Sequence, residues 1–327
     1  MRSLISFYTQ YFPPPPTFTE SHVGPQPCRV FMITGGNSGL GLELVKQLYP
    51  TGATIYLACR SEERAATAMR EVISSAGSDI STPGKLRFLH LDLNDLASIP
   101  KSASTFLEQE SRLDILWNNA GIGGCPIGTK TRQGLEGHIG VNCVAPLMFT
   151  QALLSSLKNA ACDSTPGSVR IIWTASLSIE SHAPRGGIEV ERVNCGSTQD
   201  PPGDYAQSKV GNWWLAIEAS KRYAELGIIS VAQNPGQLDT DVWKHQPWWV
   251  MMLVRPTLHD PRLGAHTMLY AGFSKDLVVG DTRYVMPWGR LREWQSTPRK
   301  DIVAAMPGPA GTQWFWKWCE EQFEPYV

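Results

Sequence analysis

Thr34-Gly35-Gly36-Asn37-Ser38-Gly39-Leu40-Gly41 follows a short apolar run, Val30-Phe31-Met32-Ile33, and leads into an amphipathic stretch, Leu40 to Leu48. The run reads as a buried strand and the stretch as a helix, so the glycines fall in a strand-to-helix turn. Each glycine has a job in such a turn. Gly35 allows the tight reversal, Gly39 lets a pyrophosphate approach the backbone, and Gly41 permits close packing of helix on strand. The first amides of the helix lack intrahelical acceptors and sit at the positive end of its dipole, which attracts phosphate. A βα unit suited to a dinucleotide is therefore predicted at the start of the fold.

The alternation continues along the chain. Strand signals at Thr54 to Ala58, Leu86 to Leu91, Leu113 to Trp117, Val169 to Trp173 and Ile228 to Ala232 are spaced by helical patterns. Those patterns run from Glu62 to Ser74, Asp95 to Glu110, Gly134 to Leu157 and Tyr205 to Leu226. A helix from Leu263 to Phe273, a last strand from Thr282 to Pro287 and a C-terminal helix from Gln313 to Phe323 follow. Apolar strands alternating with helices form parallel βαβ units. The expectation is an α/β fold: a Rossmann-type doubly wound parallel sheet with helices on both faces, in a single domain. Residues 1–28 read as an N-terminal stem and 29–327 as the domain. Ser178 to Asp204 reads as a surface excursion. The region 237–261, which carries Trp243, Trp248, Trp249, Met251 and Met252, reads as a substrate loop suited to a hydrophobic small molecule, or as a patch packed on the core or on a second copy in a homo-oligomer.

Composition excludes several classes. Of 327 residues 42% are hydrophobic, enough for a sizeable core, while a net charge of −1 argues against a nucleic-acid partner. Seven scattered cysteines without a CxxC pair read as reduced thiols of a cytoplasmic protein, with no metal site. No segment approaches the about 20 apolar residues of a transmembrane span. The start, MRSLISFYTQYF, lacks a signal-peptide core and runs into Pro13 to Pro16. It reads as a stem on the domain surface, with weak peripheral membrane association through Leu4, Ile5, Phe7 and Tyr8 as the alternative.

The chemistry-bearing residues follow the strands. Tyr205 and Lys209 are four apart in a helical stretch and so share a face. A nearby ammonium favours the phenolate, so a tyrosine pKa below its ordinary value of about 10 is expected. Ser176 ends the fifth strand, where a hydroxyl could hold a carbonyl or alcohol; Ser178 is its rival. Asn142 is a poor helix former within a helical stretch, and either holds a water, kinks the helix or makes a plain buried hydrogen bond. Cys59 stands where an NAD binder usually has its acidic residue, and Arg60 follows; an arginine there pairs with a ribose 2′-phosphate, or else is simply solvated. Asp92 either accepts from an adenine amino group or caps a helix, for which Asn94 and Asp95 are better placed. Asn118-Asn119-Ala120-Gly121 closes the fourth strand and suits a backbone running beside a ligand, although either asparagine can be structural.

Taken in order, these motifs resemble the short-chain dehydrogenase/reductase family from Arg29 to Trp288: TGGNSGLG (34–41), LDL with Asp92, NNAG (118–121), VN with Asn142, Ser176, YAQSK (205–209) and NPGQLDT (234–240). The LACR strand end resembles retinol-dehydrogenase-like members. Phe12 to Glu20, Tyr284 to Arg290 and Trp316 to Gln322 resemble fungal ones. The resemblance implies Tyr205 as acid/base, Lys209 as its activator and ribose ligand, Ser176 as the group that polarises the carbonyl, and Asn142 as the holder of a relay water. It implies NADP(H) along Gly35, Ser38, Gly39, Leu40, Gly41, Arg60, Asp92, Asn119, Gly121, Tyr205 and Lys209, with Pro235, Gly236, Leu238 and Thr240 at the nicotinamide. It further implies carbonyl–alcohol chemistry on a lipophilic compound, which the fungal likeness places in secondary metabolism. Two departures stand out: the usual paired serines are Ala175-Ser176, and Ser176 lies 29 positions before Tyr205. The competing readings are a non-catalytic NADPH-binding regulator, an NAD-dependent alcohol dehydrogenase, and an epimerase or dehydratase, whose TGxxGxxG spacing differs from the TGxxxGxG here.

Overall fold

The computed structural model describes residues 8–77, 80–240 and 248–327, the side chains of 249, 250 and 253 excepted. Leu4, Ile5, Phe7, Trp243 and the side chain of Trp249 lie outside the described residues.

Eight strands form one sheet in the order β3-β2-β1-β4-β5-β6-β7-β8. They are β1 (Val30–Thr34), β2 (Thr54–Cys59), β3 (Lys85–His90), β4 (Ile115–Asn118), β5 (Arg170–Thr174), β6 (Ile229–Gln233), β7 (Tyr284–Met286) and β8 (Arg290–Arg292). All neighbours are parallel except β7 and β8. Strand direction alternates side chains between faces, which explains the two cores. Val30 and Met32 of β1 join one core and Phe31 and Ile33 the other; Ile171 and Trp173 of β5 divide from Ile172 in the same way. The second core holds α1 (Gly39–Leu48) and the later Pro261–Phe273 helix, and the first holds α2 (Ile99–Leu107) and α3 (Pro201–Arg222). The sheet is thus doubly wound, as expected. The chain leaves β1 outward toward β2 and returns on its other side at β4, so the crevice between the carboxyl ends of β1 and β4 is the topological switch point where ligands bind in such sheets.

Two expectations are corrected and two elements are added. The helix expected over 134–157 starts at a Gly137–Ile139 turn, passes through a π-helical segment Gly140–Val144, and continues as Ala145–Ala152 and Leu154–Cys162. The excursion before Asp204 contains two short helices, Ser178–Ser181 and Val190–Val193, and α3 begins inside it with Pro201 at the first position, which suits proline. β8 turns back on β7 through Pro287-Trp288-Gly289, with Trp288 and Gly289 both at positive φ. Its sequence, Arg-Leu-Arg, shows no apolar run, and tryptophan rarely adopts that backbone conformation. A helix at Lys300–Ala305 was also not foreseen.

Candidate active site

The glycine loop is built as its sequence requires. Gly35 and Gly39 have φ of 68° and 51°. A Cβ on Gly41 would press on the Gly35 carbonyl and lie 2.9 Å from Asn119 Nδ2. The loop is tied across the switch point to the end of β4. Thr34 Oγ1 accepts from the amides of Asn119 (2.9 Å) and Ala120 (2.8 Å), and Asn119 Nδ2 donates to the Thr34 carbonyl at 2.9 Å. Ser38 stands at the N-cap of α1 without capping it through its side chain. Leu40 and Leu238 meet over Gly264, and Thr240 faces Gly39, so the 234–240 segment closes beside the loop. Gly236, at φ 94°, turns with its amide donating to Asn234 Oδ1 at 3.0 Å.

At the ends of β2 and β3, Arg60 is exposed and has no hydrogen-bond or ion-pair partner among the described residues. It does not open the next helix, because Ser61 is the cap, accepting from the Arg64 amide at 3.2 Å. Cys59 is buried, which pushes its thiol up to about 11. Asp92 Oδ1 accepts from the Asn94 amide (3.0 Å), while Asp95 caps the following turn at Ala97 (3.2 Å).

The remaining candidates converge at the carboxyl end of β5. Tyr205 and Lys209 lie on one face of α3, with Lys209 Nζ 5.5 Å from the Tyr205 ring centre and donating to the Thr174 carbonyl at 3.0 Å. The Ser176 hydroxyl lies close enough to the Tyr205 phenol to favour its ionised form. Ser178 does not compete: its amide donates to Ser176 Oγ at 3.2 Å and its own hydroxyl is buried without a partner. Asn142, in the π segment, accepts from Ile122 N (2.8 Å) and donates to Ile122 O (3.0 Å) and Ser208 Oγ (2.9 Å). Of the three readings open for Asn142, the buried hydrogen bonds and the distorted helix are both present. A π turn recurs at functional sites because it re-aims one side chain out of helical register. Gly121 leaves the room: a Cβ there would lie 3.0 Å from Asn142 Oδ1 and 3.3 Å from Lys209 Nζ.

One expectation about this pair is overturned. Burial raises the Tyr205 phenol above its ordinary value, and the nearby Ser176 hydroxyl only partly opposes this. Lys209 is itself buried, which brings its amine down to about 8. The same desolvation that surrounds the phenol weakens the cation meant to activate it.

Two groups of residues escaped the sequence reading. His138 packs the edge of its ring on Tyr205, centroids 5.9 Å apart. The Cys125 amide donates to Nε2, so Nδ1 carries the ring proton and donates it to Glu136 at 2.9 Å. Glu136 also accepts from Thr198 Oγ1 (2.5 Å) and Ile139 N (2.8 Å). The second group lines a narrow cleft beside Ser176, formed by Gln10, Ile179, Glu180, Trp213, Tyr284 and others. No described residue of 237–261 lines this cleft; Trp248 and Met252 are exposed instead.

A glycine loop at the switch point of a doubly wound sheet defines a dinucleotide-binding α/β protein. The family model for short chain dehydrogenases matches residues 29–249, and the chain belongs to that family of nicotinamide-dependent oxidoreductases. It is 47% identical to a short-chain dehydrogenase/reductase, iacJ, of Pestalotiopsis fici over the whole of both chains. It is 38% identical to a short-chain dehydrogenase/reductase of Phomopsis amygdali, over 99% of this chain and 98% of the other. In fold it matches an NADPH-bound carbonyl reductase from chicken fatty liver, with a TM-score of 0.61 at 24% identity, over 82% of this chain and all of the other. Among the described residues no single helix is long and apolar enough to cross a membrane.

Proposed function

We propose that the protein is an NADP(H)-dependent oxidoreductase that interconverts a carbonyl and an alcohol on a largely apolar small molecule. The observation that carries this reading is the convergence of Ser176, Tyr205 and Lys209 at the carboxyl end of β5, on the same sheet edge as the glycine loop.

The residues present fit a phosphorylated dinucleotide. The cradle between β1 and α1 is formed by glycines that a Cβ would obstruct or strain, and Ser38 keeps a hydroxyl uncommitted to the helix. Gly35, Ser38, Gly39, Leu40 and Gly41 would hold the pyrophosphate, Asp92, Asn119 and Gly121 the adenosine side and the sugar, and Gly236, Leu238 and Thr240 the nicotinamide side. Arg60, exposed and without a partner among the described residues, supports preference for a 2′-phosphate, and the absence of a carboxylate at Cys59 removes the repulsion. When bound, the nicotinamide supplies or accepts the hydride.

The chain's own groups handle the proton. Ser176 Oγ holds the reacting oxygen beside the Tyr205 phenol. The phenol, its pKa raised by burial, is protonated at neutral pH and can donate to the oxygen formed on carbonyl reduction. Lys209, held by the Thr174 carbonyl, would bind the nicotinamide ribose and restore the phenol's proton. Asn142 is a positioning residue: it clamps the loop after β4 to α3 through Ile122 and Ser208.

Tyr205→Phe tests the assignment. We expect NADPH-dependent ketone reduction to be lost while NADPH binding, followed by fluorescence, is retained; undiminished turnover would remove Tyr205 from the mechanism. Arg60→Ala should weaken NADPH roughly tenfold or more, the size of one charge-assisted phosphate contact, and leave NADH nearly unaffected. Equal losses for both cofactors would detach Arg60 from the 2′-phosphate.

A further inference from the structure

The cleft beside Ser176 is not a plain apolar slot. Its walls are aromatic and aliphatic (Trp213, Tyr284, Trp294, Ile179), yet three of its residues carry buried polar atoms with no partner: Gln10 Nε2, Glu180 Oε2 and Trp213 Nε1. Such atoms are costly unless something satisfies them.

Their hydrogen-bonding sense can be read off the surrounding bonds. The Gly236 amide donates to Asn234 Oδ1, which fixes the Asn234 amide so that Nδ2 faces Gln10. Asn234 Nδ2 donates to Gln10 Oε1 at 3.0 Å, leaving Gln10 Nε2 as an unused donor. Indole Nε1 of Trp213 is a donor only. Glu180 Oε1 is engaged by Arg292 Nη1, and Oε2 is an acceptor. The lining residues thus carry two unused donors and one carboxylate acceptor. Glu180 and Arg292 are the only charged residues among the described lining, and they neutralise each other.

Resting on the oxidoreductase reading above, we propose that the cleft selects a neutral, hydroxyl-bearing ketone, whose outer hydroxyl donates to Glu180 Oε2 and accepts from Gln10 Nε2 or Trp213 Nε1. The donor pattern requires ligand oxygens, the acceptor requires a ligand O–H, and the cancelled charge disfavours a carboxylate. A site built to hydrogen-bond a hydroxyl discriminates strongly against the analogue without it, because its own polar groups are then left unpaired.

The test uses three ketone probes of one skeleton with NADPH: 6-hydroxy-1-tetralone, 1-tetralone and 6-carboxy-1-tetralone. For the unaltered protein kcat/KM should be at least about tenfold higher for the hydroxylated probe than for either other. Gln10→Leu should reduce that preference, and Glu180→Leu with Arg292→Leu, which removes the pair without stranding a charge, should bring it below about threefold. Glu180→Gln alone removes the negative charge from the cleft and should shift preference toward the carboxylate probe. Dissociation constants, from quenching of tryptophan fluorescence, give a readout independent of turnover, and circular dichroism checks folding. Equal kcat/KM for all three probes, a preference untouched by Gln10→Leu and the double substitution, or no binding of any probe would overturn the proposal. Tighter binding of the hydroxylated probe with no reduction of any would instead sink the oxidoreductase reading and leave this one standing.

Discussion

Lys209 shows how a single residue can be right in place and different in state from what spacing suggests. The four-residue interval from Tyr205 puts the amine beside the phenol, but the amine is 4% exposed and its pKa falls to about 8 from 10.5. This has a consequence for stability. Below about pH 8 both folded and unfolded chains hold the proton, and the folded state bears the full cost of the buried charge. Between about pH 8 and 10.5 the unfolded chain binds more protons than the folded one, so stability rises with pH. Relative to Lys209→Met, which has no such group, the natural protein should gain up to about 3 kcal/mol between about pH 7 and pH 10.5. Urea unfolding of both proteins at the two pH values measures this. A difference that does not change with pH would put the amine at its ordinary value. The sequence gives the residue's neighbour; it does not give the depth of burial, which depends on how β5 and α3 pack.

At the scale of elements, the turn between β1 and α1 was the most legible part of the chain, because glycines leave a local mark. Two substitutions separate their roles. Gly39→Ala meets only Thr240, 3.8 Å away, so its cost is that of a left-handed φ, about 1–2 kcal/mol. Gly41→Ala drives a methyl into the Gly35 carbonyl, which is backbone and cannot move aside without shifting α1. NADPH affinity should therefore drop roughly tenfold or more for Gly41→Ala, with a smaller loss for Gly39→Ala; titration of both variants checks the order, and the reverse order would contradict the packing role of Gly41. Six parallel strands and the seventh were readable from apolar runs for the same local reason. β8 was not, since its Arg-Leu-Arg sequence is held by pairing to β7 and by a turn with Trp288 at positive φ. The Glu136–His138 pair left only a faint mark, a Glu-Gly-His run just before Asn142, and its contact with Tyr205 arises from the crossing of two helical segments distant in sequence. The cleft residues left none, because Gln10, Glu180 and Arg292 are brought together only by the closed fold.

On the scale of the whole molecule, the N-terminal segment joins the site rather than lying apart from it. A helical turn at residues 8–11 places Gln10, 1% exposed, against Asn234. His259 Nε2 donates to the Tyr11 carbonyl at 2.6 Å, and Arg290 Nη2 to the Thr9 carbonyl at 2.7 Å. These three bonds tie the segment to the end of β6, to the stretch before the Pro261–Phe273 helix and to β8, while Gln10 itself lines the cleft. Deleting residues 1–12 removes all three, at about 1 kcal/mol each, and should lower the melting temperature by roughly 5–10 °C. The two sheet cores contain no residue before Val23 among their buried members, so the chain should still fold. NADPH binding should stay within about threefold of the full chain, since none of these three bonds reaches the β1–α1 turn, while kcat/KM for ketones should fall about tenfold through loss of the Gln10 donor. Calorimetry, NADPH titration and initial rates on one truncated preparation decide the matter: a parallel loss of cofactor binding would mean that the segment braces the whole sheet edge, and undiminished ketone turnover would mean that it only covers the surface.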